Sequence, residues 1–117
     1  MEKNTNQEEL RFAIINRLNS NSKISQRNLA YDLNVSLGSV NYCLRALIEK
    51  GFIKVKNFRK SNNKLSYAYI LTPKGISQKV DLTKKFLIRK QSEYMNLQQE
   101  IEKLEKELIK EEKNVKK

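Results

Sequence analysis

The sequence has no histidine and no tryptophan, one cysteine, one proline and three glycines in 117 residues. Without histidine, and with a lone cysteine, neither a zinc site nor a Ser-His or Cys-His catalytic machine can be assembled. An enzyme is therefore the least expected class, and no metal or cofactor is expected. One cysteine makes no internal disulfide framework and suits a reduced, cytoplasmic setting. No apolar run approaches the roughly 20 residues of a membrane span. No charged start leads into an apolar secretory segment either. Hydrophobic residues make up 38% and mean hydropathy is −0.72, so the core must be small. Acidic residues are also scarce, 13 against 24 Lys and Arg, which leaves a net charge of +11.

That excess is local. Residues 1–22 carry three basic and three acidic side chains, and residues 91–117 carry six basic and seven acidic. Between them, residues 23–90 hold 15 basic side chains against Asp32, Glu49 and Asp81, a surplus of 12. A solvated surface usually mixes its signs. A block this one-sided answers to a polyanion, and nucleic acid is the expected partner. An acidic membrane surface is the weaker reading, because no helix pairs a basic face with a large apolar one.

Periodicity divides the chain. Leu10, Ile14, Ile15 and Leu18 predict a helix over about 7–21, with Thr5 and Glu8 as its capping box. Ser25 caps a short helix over 26–33, with Ile24 and Leu29 spaced as a hydrophobic staple, and Asn34 follows as the residue that tolerates a left-handed turn. Val35 is expected to point inward. Ser36 caps a third helix over 37–50, whose apolar stripe is Val40, Leu44 and Leu47 and whose stop is Gly51. The period then falls to two. Ile53 and Val55 form one strand, and Leu65, Tyr67, Tyr69 and Leu71 share a face of the next. Pairing Ile53 with Leu71 and Val55 with Tyr69 closes a hairpin on a three-residue loop, 61–63. Thr72-Pro73 starts another helix, with Ile76 and Val80 inward and 81–83 as a bend or a second start. From there to the end no glycine or proline interrupts a helical pattern. The fold class is mainly α (α+β). A winged helix-turn-helix domain over 1–82 is followed by a long C-terminal helix over 83–117.

In this arrangement the helix of about 37–50 is the recognition helix and the hairpin of about 52–71 the wing. Gly38, Ser39, Asn41, Tyr42 and Arg45 lie on the helix face opposite the apolar stripe. Asn41 suits adenine and Arg45 guanine by donor geometry, while Tyr42 suits a phosphate or a thymine methyl. Ser25, Gln26, Arg27 and Ser36 join them as DNA-facing candidates at the helix starts. The wing offers Lys54, Lys56, Arg59, Lys60 and Lys64, with Asn62 and Asn63 at its turn, for phosphate or the minor groove. Tyr69 and Tyr67 are expected to face the core, Tyr31 to be half-buried between helices, and Cys43 to be a buried structural thiol rather than an oxidant sensor.

The runs Ser25-Gln26-Arg27-Asn28-Leu29-Ala30, Asn34-Val35-Ser36-Leu37-Gly38-Ser39-Val40-Asn41-Tyr42, Leu44-Arg45-Ala46-Leu47, Lys50-Gly51-Phe52-Ile53 and Leu71-Thr72-Pro73-Lys74-Gly75 resemble a MarR-type winged-helix regulator. They are most similar to the small exopolysaccharide-associated group of that type. The resemblance spans about residues 10–86 and implies a dimeric transcription regulator. Larger members carry an acidic residue in the wing; this wing has none. No residue set for a small-molecule effector is evident.

In the last helix Leu87, Tyr94, Leu97, Ile101, Leu104, Leu108 and Val115 follow steps of three and four, interrupted by Lys90 and Glu111. This is a coiled-coil seam, read as the dimerisation surface. Its flanks are acidic at Glu100, Glu105, Glu107 and Glu112, which leaves the strand orientation open. Two functions remain. The first is a sequence-specific, homodimeric regulator of double-stranded DNA. The second is a protein-interaction module on a winged-helix scaffold, whose coil binds a partner helix.

Overall fold

Ser25, Ser36 and Thr72 set the starts of three of the four helices. The computed structural model describes the backbone of residues 2–61 and 64–116 and the side chains of residues 7–58 and 66–116. Helices α1 (Glu2–Ser20), α2 (Gln26–Leu33) and α3 (Leu37–Glu49) are followed by strands β1 (Ile53–Ser61) and β2 (Lys64–Leu71) and by helix α4 (Pro73–Val115). The molecule has a winged helix fold, mostly helical with one two-stranded antiparallel sheet. No described helix is long and apolar enough to cross a membrane.

The caps are made as their residue types require. The Asn28 N–H donates to Ser25 Oγ at 3.0 Å, and the Ser39 N–H donates to Ser36 Oγ at 3.0 Å. Both short helices end in a Schellman turn. Asn34 takes the left-handed conformation (φ 55°), and the Val35 N–H reaches back to the Ala30 carbonyl at 3.0 Å. At the end of α3, Gly51 has φ 78° and the Phe52 N–H bonds the Leu47 carbonyl at 2.9 Å. The start of α1 differs from expectation. The helix begins at Glu2, so Thr5 lies inside it and is not an N-cap. Its side chain is outside the described residues.

β1 and β2 pair in the expected register, Ile53 with Leu71 and Val55 with Tyr69. The loop is shorter than expected. Ser61 pairs with Lys64, so two residues close the hairpin, and an irregularity between Arg59 and Ser61 takes up the difference. Asn62 and Asn63 lie outside the described residues. On its other edge β2 is tied to the α1–α2 turn, where the Tyr69 N–H donates to the Ser22 carbonyl at 2.9 Å.

The chain divides into two compact units, Met1–Thr83 and Lys84–Lys117. The core of the first gathers Ile14, Ile15 and Leu18 of α1, Leu29 and Ala30 of α2, Val40, Leu44 and Leu47 of α3, Ile53, Ala68 and Tyr69 of the hairpin, and Leu82 of α4. Several expectations of burial fail. Ile76 and Val80 are about half exposed, and Leu82 is buried in their place, because the helix phase turns the stripe of Gly75 and Leu82 inward instead. Tyr67 is 55% exposed, since the hairpin's inner face is covered only near its base, where Tyr69 sits. Tyr31 is 86% exposed rather than half-buried. Residues 81–83 start no second helix; the Thr83 hydroxyl donates back to the Lys79 carbonyl within α4.

The motif Leu71-Thr72-Pro73-Lys74-Gly75 latches the start of α4 to the end of α3. The Thr72 hydroxyl accepts from the Gly75 N–H at 3.0 Å and donates to the Gly51 carbonyl at 2.6 Å. The Thr72 N–H bonds the Phe52 carbonyl at 3.0 Å. Lys74 Nζ donates to the Lys50 carbonyl at 3.0 Å and lies 5.3 Å from the Phe52 ring centre. Gly75 packs so closely that a Cβ there would collide with the Phe52 carbonyl. In the second unit Arg89 stacks 4.9 Å over the Phe86 ring.

Candidate nucleic-acid interface

The third helix has two faces. Val40, Leu44 and Leu47 are at most 1% exposed, while Gly38, Ser39, Tyr42 and Arg45 are exposed, Tyr42 at 75%. The division follows from the 3.6-residue period: one stripe is bound to the core, and the residues between its turns have nothing to pack on. Ser36 and Ser39 stand at the helix start, their hydroxyls bonded at 2.8 Å. At the neighbouring α2 start, Ser25 and Arg27 are exposed and Gln26 is half-buried. Lys54 and Lys56 of β1 are exposed. The side chains of Arg59, Lys60 and Lys64 lie outside the described residues, as do Asn62 and Asn63 entirely.

Asn41 differs from its neighbours. It is half-buried, and its carboxamide is engaged: Nδ2 donates to Gln26 Oε1 at 3.2 Å. Gln26 Nε2 in turn donates to the Tyr69 hydroxyl at 2.9 Å. This chain of hydrogen bonds joins α3, α2 and β2. Sequence periodicity places Asn41 and Gln26 on polar faces and Tyr69 inward, but it carries no signal that the three meet. Lys23 Nζ lies 4.9 Å from the Phe58 ring centre, holding the α1–α2 turn against the hairpin.

A groove between α1 and α3 likewise has no signal in the sequence. Its volume is about 470 Å³, and Leu10, Arg11, Tyr42, Cys43 and Ala46 are among the residues that line it. Cys43 is half-buried rather than fully buried. Burial pushes its thiol above the ordinary value, against the lowering pull of Arg11 and Lys50. Desolvation thus outweighs the two nearby cations in setting the acidity of this thiol. No group of three metal-ligating side chains occurs among the described residues.

On the second unit, the side chains of Leu87, Tyr94, Leu97, Ile101, Leu104 and Leu108 are 47–63% exposed on the single chain. They keep the seam spacing along α4. Ion pairing there is local and solvent-exposed, as between Lys90 and Glu93 at 3.3 Å.

Residues 7–54 match the family described as winged helix-turn-helix DNA-binding. Among curated proteins no sequence match is found. Solved structures do resemble the chain. A MarR transcriptional regulator from Methanosarcina mazei Go1 is 25% identical, with a TM-score of 0.52 over 64% of this chain and 52% of that one. A Staphylococcus aureus MarR in complex with salicylate and kanamycin is 18% identical, with a TM-score of 0.53 over 70% of this chain and 53% of that one. The chain thus spans about half the length of these neighbours. Helix pair, wing and comparisons agree: this is a winged-helix chain whose residues 7–54 match a DNA-binding helix-turn-helix family and whose structural neighbours include MarR regulators.

Proposed function

We propose that the protein is a sequence-specific, double-stranded DNA-binding transcription regulator that acts as a homodimer in the cytoplasm. The observation that carries this reading is the two-faced α3. Its apolar stripe is sealed in the core, and its opposite face is polar and exposed, within a segment that holds a surplus of 12 positive charges. A helix so disposed can enter a major groove without losing its packing. In this role Arg45 pairs with guanine and Asn41 with adenine, Tyr42 meets a phosphate or a thymine methyl, and small Gly38 and Ser39 admit the backbone closely. Ser25, Arg27 and Ser36 add contacts at the helix starts. Lys54 and Lys56 track phosphates along β1, and Arg59, Lys60, Asn62, Asn63 and Lys64 extend that track at the wing tip.

The exposed seam of α4 supports homodimerisation, since six large apolar side chains at heptad spacing are uncovered on one chain. The same seam, flanked by Glu100, Glu105, Glu107 and Glu112, also favours a second reading, in which it captures a basic partner helix. Likeness to the small exopolysaccharide-associated group is the finer family reading.

Selection from a pool of random duplexes separates these readings. A regulator enriches a near-palindromic motif whose half-sites lie about one helical turn apart. A pool left without enrichment by a folded protein favours the interaction module.

A further inference from the structure

We propose that Gln26 and Tyr69 are positioning residues for base recognition: a relay from the wing strand fixes which way round the Asn41 carboxamide faces. The inference rests on the DNA-reading role given to α3 above. An unrestrained asparagine exchanges its oxygen and nitrogen by a half-turn of its last torsion, so it offers either edge to a base. Here Nδ2 is held by Gln26 Oε1 at 3.2 Å, and Gln26 is held by the Tyr69 hydroxyl at 2.9 Å. One of the two Nδ2 hydrogens is spent. The second hydrogen and Oδ1 remain, which is the donor and acceptor pair that adenine N7 and N6 complement.

The relay could also run the other way. If the Tyr69 hydroxyl donated to Gln26 Oε1, Gln26 Nε2 would donate to Asn41 Oδ1. Asn41 would then turn its oxygen toward Gln26 and its nitrogen away, so donor and acceptor would stand in the reverse order on its base-facing edge and would no longer match adenine N7 and N6 in the same docking. The direction of the relay therefore sets the order in which the Asn41 edge offers donor and acceptor to a base. Tyr69 anchors the end of the relay in place, because the residue is 7% exposed and its backbone N–H is tied to Ser22. A buried tyrosine hydroxyl keeps its hydrogen-bond partner, since leaving it unpaired is costly.

The test is a double-mutant cycle on base preference. Tyr69→Phe keeps the ring in the core and removes only the hydroxyl. Affinities of the full-length protein and of Tyr69→Phe, Asn41→Ala and the double variant are measured on the selected duplex, on duplexes with each adenine changed to guanine, and on a scrambled duplex. The proposal expects Tyr69→Phe to lose about fivefold or more of the adenine preference at one position, with scrambled-duplex affinity unchanged. Asn41→Ala should erase the preference at that same position, and the double variant should lose nothing more. Gln26→Leu should behave as Tyr69→Phe does. In the free protein, the Asn41 side-chain amide signals should shift in Tyr69→Phe. A uniform loss on every duplex, or an effect of Tyr69→Phe that persists in the Asn41→Ala background, overturns the proposal and leaves the hydroxyl a structural role. If Asn41→Ala changes no base preference, the reading role of Asn41 itself fails, and an amide shift in Tyr69→Phe would then show a relay without a base to read.

Discussion

Gly75 and Gly38 are one residue type in opposite circumstances. At Gly75 an added Cβ would meet the Phe52 carbonyl, a backbone atom pinned by the Thr72 N–H. Gly75→Ala should therefore cost about 2 kcal/mol or more and lower the melting temperature by about 8 °C or more. Gly38 faces open space, with only Ser36 Oγ 3.9 Å away. Gly38→Ala should raise stability by about 0.5 kcal/mol through backbone entropy, yet weaken DNA binding by holding the helix start off the phosphates. Thermal unfolding and duplex titration on both variants check the pair; a stable Gly75→Ala protein would contradict the latch. Cys43 makes a third residue-scale prediction. Because burial raises its thiol, the thiolate is scarce at neutral pH, and alkylation by iodoacetamide should be slower than for a free cysteine, quickening as pH rises. Rapid labelling at pH 7 would show that Arg11 and Lys50 outweigh burial.

At the scale of elements, α3 and the wing should fail in different ways. Arg45→Ala should cost about 1–3 kcal/mol on the selected duplex and relax preference at one base pair. Lys54→Ala or Lys56→Ala should weaken all duplexes alike and reduce the salt slope by about one. Competition titrations against selected and scrambled DNA separate the two patterns; identical patterns would show that Arg45 only touches phosphate. The elements themselves were legible because local chemistry dictated them. Ser25, Ser36 and Thr72 cap helices, Asn34 and Gly51 take left-handed turns, and the hairpin register followed from agreement of its two inner faces. Burial was legible only where one element's stripe decided it. Ile76 and Val80 are exposed because the phase of α4 turns Gly75 and Leu82 inward instead, and Tyr31 and Tyr67 because their covering would have to come from elsewhere in the fold, which periodicity does not report. The Asn41–Gln26–Tyr69 relay was illegible for the same reason: it depends on how three elements cross, and no spacing within one of them encodes it.

At the scale of the whole molecule, charge and seam lie in different parts of the chain. The basic block lies within residues 23–90, and the balanced last segment carries the uncovered apolar residues. If that seam joins two chains, Ile101→Asp with Leu104→Asp should yield a monomer, because a carboxylate buried there without a partner costs several kcal/mol. Light scattering reports the mass and circular dichroism the retained fold. A double variant that stays dimeric places the dimer elsewhere. The central claim, however, is that the basic winged helix binds DNA through its phosphates while α3 reads the sequence. Its most direct test is the affinity of the wild-type protein for the selected duplex as a function of salt. With about five to eight phosphate contacts per half-complex, log K should fall against log salt with a slope of about −4.5 to −7 per half-site. A slope near zero would contradict the account.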